Sequence, residues 1–231
     1  MSSAVHRISS LPNELVSFIR NPAFPCVAAK SAVSREQVDI MEAGNLLDGQ
    51  YDLDILARIG GFVRNYRRRR PLFTSFAVLF RQPTDLTEVA FEKALWRRLA
   101  GLHELDRRRH GWDPSVSSDP ASPDFSFSLF RQAFFIIGLH PNSSRRSRRF
   151  RRPALVFNLH DQFERLRANG SFGRMQTVIR ERDASYCGRP NPMLANFGDL
   201  SEARQYSGRA VPRGWTCPFR PRTDTGEREA A

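Results

Sequence analysis

The sequence predicts an α+β fold, a mixed central sheet with flanking helices and a long irregular C-terminal arm, and three observations lead there. Segments of helical period and short β-branched or aromatic runs alternate without the even spacing of a βαβ series. Two runs, FFIIGL and ALVFNL, are apolar on both sides, as strands covered on both faces are. From Cys187 to Phe219 the chain is rich in Gly, Pro, Asn and Ser, yet it keeps Met193, Leu194, Phe197, Tyr206 and Trp215, aromatic and apolar anchors that a disordered tail lacks. With 231 residues and 40% hydrophobic content the chain can bury a sizeable core, so one domain is expected over 1–219, followed by a loose polar tail over 220–231.

Taken in order, LPNELVSFIR (11–20) has Leu15, Phe18 and Ile19 at helical spacing and stops at Asn21-Pro22. FPCVAAKSAV (24–33) reads as a strand, and Asp52 to Ile59 as a short helix closed by Gly60-Gly61. LFTSFAVLF (72–80) is β-branched and aromatic, hence a second strand. The clearest helix runs from Asp85 to Arg109. Asp85 is placed to cap it with Glu88 reaching back, and Val89, Leu95, Trp96, Leu99 and Leu102 form its apolar stripe. WDPSVSSDPASPD (112–124) carries turn chemistry throughout. FSFSLFRQAFFIIGL leads into a buried strand, ALVFNL (154–159) is another, and DQFERLRANG starts a helix that breaks at Asn169-Gly170 and resumes through Arg174–Arg182.

A net charge of +12 would ordinarily point to nucleic acid or an anionic surface. Of the 36 basic residues, however, only Lys30 and Lys93 are lysine, a skew that GC-rich coding produces by itself. There is no aromatic interleaving for base stacking and no helix-turn-helix, zinc-finger or ribonucleoprotein motif, so a nucleic-acid partner is not expected. No window has the length of apolar sequence needed to span a bilayer, and the first residues lack the layout of a secretory signal; a cytoplasmic protein without a membrane partner is expected. Cys26, Cys187 and Cys217 are widely spaced, with no CxxC pair, and read as reduced thiols.

Two of the five histidines stand where structure holds them firmly: His140 ends a buried strand and His160 opens a helix after one. Such placement suits a transition-metal ligand, although a lone histidine is more often a hydrogen-bonded core residue, as His103 on the long helix is expected to be. His6 and His110 read as exposed. Between His140 and His160, positions 145–152 carry six arginines, of which Arg145, Arg148, Arg149 and Arg152 would share one face of a helical turn but splay in an extended loop. A solvated loop is the ordinary meaning of such a run; a grip on phosphate or carboxylate is the alternative. Cys26 and Cys217 are chemically able to ligate heme as thiolates, but buried thiols are commoner. Glu181 and Asp183 read as surface partners of neighbouring arginines.

The run GLHPNSSRRSRRFRRPALVFNLHDQFERLR resembles the YqcI/YcgG family, as do IRERD, NPMLANFGDLSEARQYSGR, WTCPF, FPCVAAK, FEKALWRRL and LHELD. The resemblance implies a heme-dependent N-hydroxylase: heme b, a histidine as axial iron ligand, and transfer of one oxygen atom from oxygen or peroxide to a guanidine or amine nitrogen. Its partners would be a small nitrogenous substrate such as arginine, and an electron donor when oxygen is used. On this chain it implies His140 or His160 at the iron, with His140 ahead because Arg145, Arg148 and Arg149 follow it closely enough to meet the heme propionates. The two histidines could also take opposite faces of the heme. Glu202 is the carboxylate expected to pair with a guanidinium, with Glu88 and Glu92 behind it, and Asn158 and Tyr206 would supply polar contacts near the bound oxygen. Heme binding without such chemistry, or nucleic-acid or anion binding by a basic protein without a cofactor, are the alternatives.

Overall fold

The computed structural model describes residues 10–221. His6 and all but the first two residues of the expected tail lie outside them. A five-stranded mixed sheet forms the centre. In chain order its strands are β1 (Val38–Asn45), β2 (Ser75–Gln82), β3 (Phe127–Leu129), β4 (Gln132–Leu139) and β5 (Ala154–Leu159), and in space they run β1-β2-β5-β4-β3. β1 and β2 pair in parallel, and every other pair is antiparallel.

Six helices flank the sheet: α1 (Leu11–Arg20), α2 (Val27–Ser34), α3 (Asp52–Arg69), α4 (Glu88–Asp106), α5 (His160–Ala168) and α6 (Phe172–Cys187). Because side chains alternate along a strand, each face gathers its own core. Phe76, Val78, Phe80, Phe134, Ile136 and Phe157 pack toward α3 and α4; Ala77, Leu79, Leu139 and Ala154 pack toward α1 and α2. No helix of the described residues is long and apolar enough to cross a membrane.

Three local expectations are corrected, and one strand, β1, has no counterpart among them. Residues 24–33 are not a strand but lead into α2, because Cys26 caps a run containing four helix-compatible small residues and its sulfur accepts from Ala29 N–H at 3.4 Å. The edge strand β1, VDIMEAGN, carries too few apolar residues to signal itself, and is held by its register against β2. α3 does not stop at Gly60-Gly61 but runs on to Arg69, where Arg70 adopts a left-handed cap at φ 43°. The cap of α4 is Thr87, whose hydroxyl accepts from Ala90 N–H at 3.2 Å, and not Asp85; Val89 is exposed rather than part of the stripe.

The hairpin between β3 and β4 turns on Phe130 and Arg131 alone, both with positive φ (55° and 53°). Such a turn ordinarily carries Asn-Gly. Here tertiary contacts hold it: Asp106 accepts from Phe130 N–H at 2.9 Å, Arg67 donates to the Phe130 carbonyl at 2.7 Å, and the Phe130 ring lies over Gly60. The C-terminal arm then docks on the far side of the sheet's centre. Tyr206 stacks on Trp96 of α4 at 5.4 Å, Phe219 packs on the same indole at 6.0 Å, and the Tyr206 carbonyl accepts from Gly138 N–H at 2.8 Å.

Candidate functional site

The arginine run settles into internal contacts. Only Arg146–Arg148 makes a helical turn, too short to gather the four guanidiniums on one face, and they splay. Arg145 is buried and pairs with Asp183 of α6, also reaching the carbonyls of Arg189 and Pro190. Asp183 is therefore a buried partner of a distant arginine, not a surface partner of neighbours. Arg146 lies over the Tyr186 ring at 4.9 Å, Arg149 donates to the Ser143 carbonyl at 2.9 Å, Arg151 pairs with Glu14 at 3.0 Å, and Arg152 donates to the Arg81 carbonyl at 2.8 Å. Arg148 clasps the arm to β4 through the carbonyls of Gly138, Gln205 and Tyr206, at 3.1 to 3.5 Å.

Between the α1/α2 face of the sheet and helices α5 and α6 lies a cavity of about 320 Å³, within the range of small-ligand sites. Its walls are mostly apolar: Phe18, Ile19, Ile137 and Val156 on one side, Phe163 and Ile179 on the other. Three arginines line it, Arg148 from the loop, Arg167 from α5 and Arg180 from α6. So do His160, Asn158 and Glu202.

His160 is the first residue of α5, placed there because β5 delivers the chain directly into the helix. Burial lowers its pKa, which keeps the imidazole neutral and able to coordinate. Its Nε2 stands 3.0 Å from Glu164 Oε1, one helical turn on, and the Phe197 ring lies 4.4 Å from its own. The same histidine lines a second, polar cleft with Tyr66, Arg67, Arg70, Asp113, Asp161 and Glu164. There Arg70 holds Asp161 at 2.9 and 3.0 Å, and burial with the Asp161 contact raises Tyr66 to about 12.

Glu202 is buried at the cavity floor, in the first turn of a 3-10 segment, Glu202–Gln205. Its Oε1 accepts from Tyr206 Oη at 2.5 Å and from Ser126 Oγ at 2.7 Å. Its Oε2 makes no hydrogen bond and is not sealed off. Burial pushes the acid up to about 8. Tyr206 stands behind Glu202 and does not line the cavity; its hydroxyl is spliced into the β3–β4 ladder, accepting from Phe127 N–H at 3.0 Å and lying 3.1 Å from the Phe134 carbonyl. Asn158 lines the cavity, but its amide is occupied by Ser75 at 2.7 Å and the Phe135 carbonyl at 3.3 Å.

The predicted residues therefore separate. His160, Arg148, Asn158 and Glu202 meet at one cavity, whereas His140, Arg145, Arg149 and Tyr206 do not line it. His140 ends β4 on the other side, buried and stacked on Phe91 of α4 at 4.3 Å, with neither ring nitrogen hydrogen-bonded. Of the two histidines only His160 lines the cavity: proximity in sequence to the arginines does not bring His140 there, since its side chain alternates to the α4 face. Glu88 accepts from Ser144 at 2.8 Å and Glu92 pairs with Arg209, so both are structural carboxylates. Cys26 lines the cavity and Cys217 is buried in the other core; burial raises both thiols, Cys217 to about 12, so neither is a ready thiolate. His110 is half-buried beside Asp106 at 2.8 Å, not freely exposed. Arg167, Arg180 and Glu164 escaped the sequence reading, although HDQFERLR places Glu164 one turn and Arg167 two turns from His160.

Among the described residues no group of three or more His, Cys, Asp or Glu is placed to hold a metal ion. Neither the curated proteins nor the solved structures hold a match to this chain. The model of the YqcI/YcgG family matches residues 15–220, which takes in the whole sheet, the cavity and the docked arm. The chain belongs to the YqcI/YcgG family.

Proposed function

We propose that the protein is a heme-dependent oxygenase that hydroxylates a nitrogen of a guanidine or amine substrate; the apolar cavity would hold heme b, with His160 as the residue that would bind its iron. One observation carries this reading: a buried neutral imidazole and a buried carboxyl with an open oxygen face the same apolar cavity. A porphyrin would supply the other nitrogen ligands itself, so a single imidazole would suffice, and among the described residues no larger ligand cluster stands. The guanidiniums of Arg167 and Arg180, which lie outside the arginine run, suit the porphyrin's two carboxylates, while Arg148 is engaged with backbone carbonyls. Arg148 is held down to about 10 by burial and is still a cation at neutral pH.

When bound, the heme would supply the activation of oxygen or peroxide, an electron donor being required with oxygen. The chain's own part is orientation and exclusion of water. His160 is steadied by Glu164 and Phe197, the apolar walls keep the site dry, and Glu202 receives the cationic nitrogen through Oε2 while Ser126 and Tyr206 hold Oε1 in place. A nucleic-acid or free-anion reading has less support, since each arginine of 145–152 already has a partner inside the protein.

Hemin titration into wild type, His160→Ala and His140→Ala tests the reading. Wild type and His140→Ala should develop intense Soret absorption and His160→Ala should not. A wild-type chain that stays colourless sinks the proposal. Incubation of the loaded protein with arginine, reductant and oxygen, or with peroxide, should give a product heavier by one oxygen atom. Heme binding with an unchanged panel of guanidines and amines would leave a heme-binding protein without this chemistry.

A further inference from the structure

We propose that Glu202 couples ligand binding to proton release: burial beside the apolar cavity keeps it a neutral acid, and a cationic nitrogen arriving at Oε2 drives its proton off. The inference deepens, and rests on, the reading of the cavity as a site for a cationic nitrogen compound.

The geometry separates the two oxygens of one carboxyl. Oε1 faces the protein and takes both donors, Tyr206 Oη and Ser126 Oγ. Both donors go to Oε1, and the residue lines the apolar cavity, so an ionised carboxylate would lie beside a low-dielectric space with no protein donor on its second oxygen. Protonation on Oε2 removes that cost and leaves Oε1 as a carbonyl acceptor for both hydroxyls.

The surrounding network tolerates either state. Each of the two hydroxyls has a choice of acceptors, since Tyr206 Oη lies 3.1 Å and Ser126 Oγ 3.2 Å from the same Phe134 carbonyl. With a neutral acid, one hydroxyl can serve the Phe134 carbonyl. With a carboxylate, both can turn to Oε1, where a charged acceptor makes the stronger bond. Of the groups around Glu202, Tyr206 on its own turn holds its proton more tightly than usual, because burial and Glu202 both oppose a phenolate. Ser126 and the Phe134 carbonyl, from the sheet, carry no charge. Arg167 of α5 is the cation acting on Glu202, but its guanidinium is paired with Glu164 and lies over the rings of Phe172 and Phe197, at 4.5 and 5.8 Å. No cation hydrogen-bonds Glu202 among the described residues. Burial accordingly keeps the acid neutral near pH 7, and a bound guanidinium or ammonium supplies the missing charge. In that exchange the Oε2–H bond breaks and the proton leaves to solvent with the water the ligand displaces; nothing is oxidised or reduced.

The test uses the full chain and two readouts. Infrared difference spectra of wild type against Glu202→Gln at neutral pH should contain the carbonyl band of a protonated carboxylic acid. Proton release on adding methylguanidine or L-arginine as probes, followed in weakly buffered solution or by calorimetry in buffers of different ionisation enthalpy, should reach about one proton per ligand bound and vanish in Glu202→Gln. Tyr206→Phe, which removes one donor to the charged form, should hold the acid band to higher pH and serves if Glu202→Gln does not fold. Absence of the acid band, or binding without proton release, overturns the proposal while leaving the cavity's ligand class standing. With the band present, failure of both probes to bind removes the cationic-substrate reading and the coupling with it.

Discussion

Arg145 and Asp183 form a buried ion pair that ties the arginine-rich loop to α6, the helix over the cavity. Asp183 is the one fully buried residue of that helix, so this ion pair is its most deeply buried attachment. Removing one partner strands a buried charge, which costs about 3–5 kcal/mol. Asp183→Ala and Arg145→Ala should each lower the urea midpoint accordingly and speed hydrogen exchange in 172–187 before that of the sheet. Exchange that rises uniformly across the chain would show that α6 has no independent hold.

Gly60 and Gly61 should respond oppositely to the same substitution. A β-carbon at Gly60 would stand 2.8 Å from the Phe130 ring, which the strained turn fixes in place, whereas at Gly61 the nearest atom is the flexible Arg64 tip at 3.8 Å. Gly60→Ala should therefore lose about 1–3 kcal/mol through overpacking despite the better helix propensity. Gly61→Ala should be neutral or gain up to about 1 kcal/mol. Thermal unfolding of the two variants side by side reads the difference.

His140 should make the fold acid-sensitive. Burial lowers it from 6.5 to about 4, so below pH 6.5 the unfolded chain takes up a proton that the folded chain refuses. The neutral imidazole's contribution is intact above 6.5 and is lost progressively as pH falls toward 4, by about 2–3 kcal/mol in all. Urea unfolding of wild type and His140→Leu across that window should show the variant losing less stability than wild type as the acid rises. Parallel slopes would mean that the ring is hydrated in solution.

Glu202 should act on the other side of the pH scale. Its acid is raised from 4.5 to about 8, so its neutral form favours folding fully below 4.5, and that preference fades as pH climbs through 8. Relative to Glu202→Gln, the wild type should lose about 2–5 kcal/mol between those limits. A flat difference curve from unfolding at several pH values would mean that the carboxyl beside the cavity is ionised throughout.

Much of this was legible in one dimension. The apolar periods of 11–20 and 88–106 placed α1 and α4, the doubly apolar runs placed β4 and β5, and the aromatics of 187–219 marked an arm that docks. These signals are local, set by period and composition, and they survive any tertiary arrangement. Cys26 misled as an unusual local cap, Gly60 misled because its partner is distant, and the Phe130 turn and β1 gave no signal for the same reason. A sulfur caps a helix, a glycine admits a ring from another hairpin, a turn without glycine is held by Asp106 and Arg67, and an edge strand is held by its neighbour.

The candidate site divides along the same line. His160, Arg148, Asn158 and Glu202 were recognisable by residue type and family motif, and the fold brings them to one cavity. Which histidine faces that cavity was decided only in three dimensions. His140 and the arginines after it are neighbours in sequence, but strand alternation turns the imidazole toward Phe91 while the chain reverses and spends the arginines on carbonyls and Asp183. Sequence by itself determined the family, the elements of strong period and the inventory of reactive groups. The tertiary structure decided which of those groups share a space, because burial and direction depend on partners far along the chain.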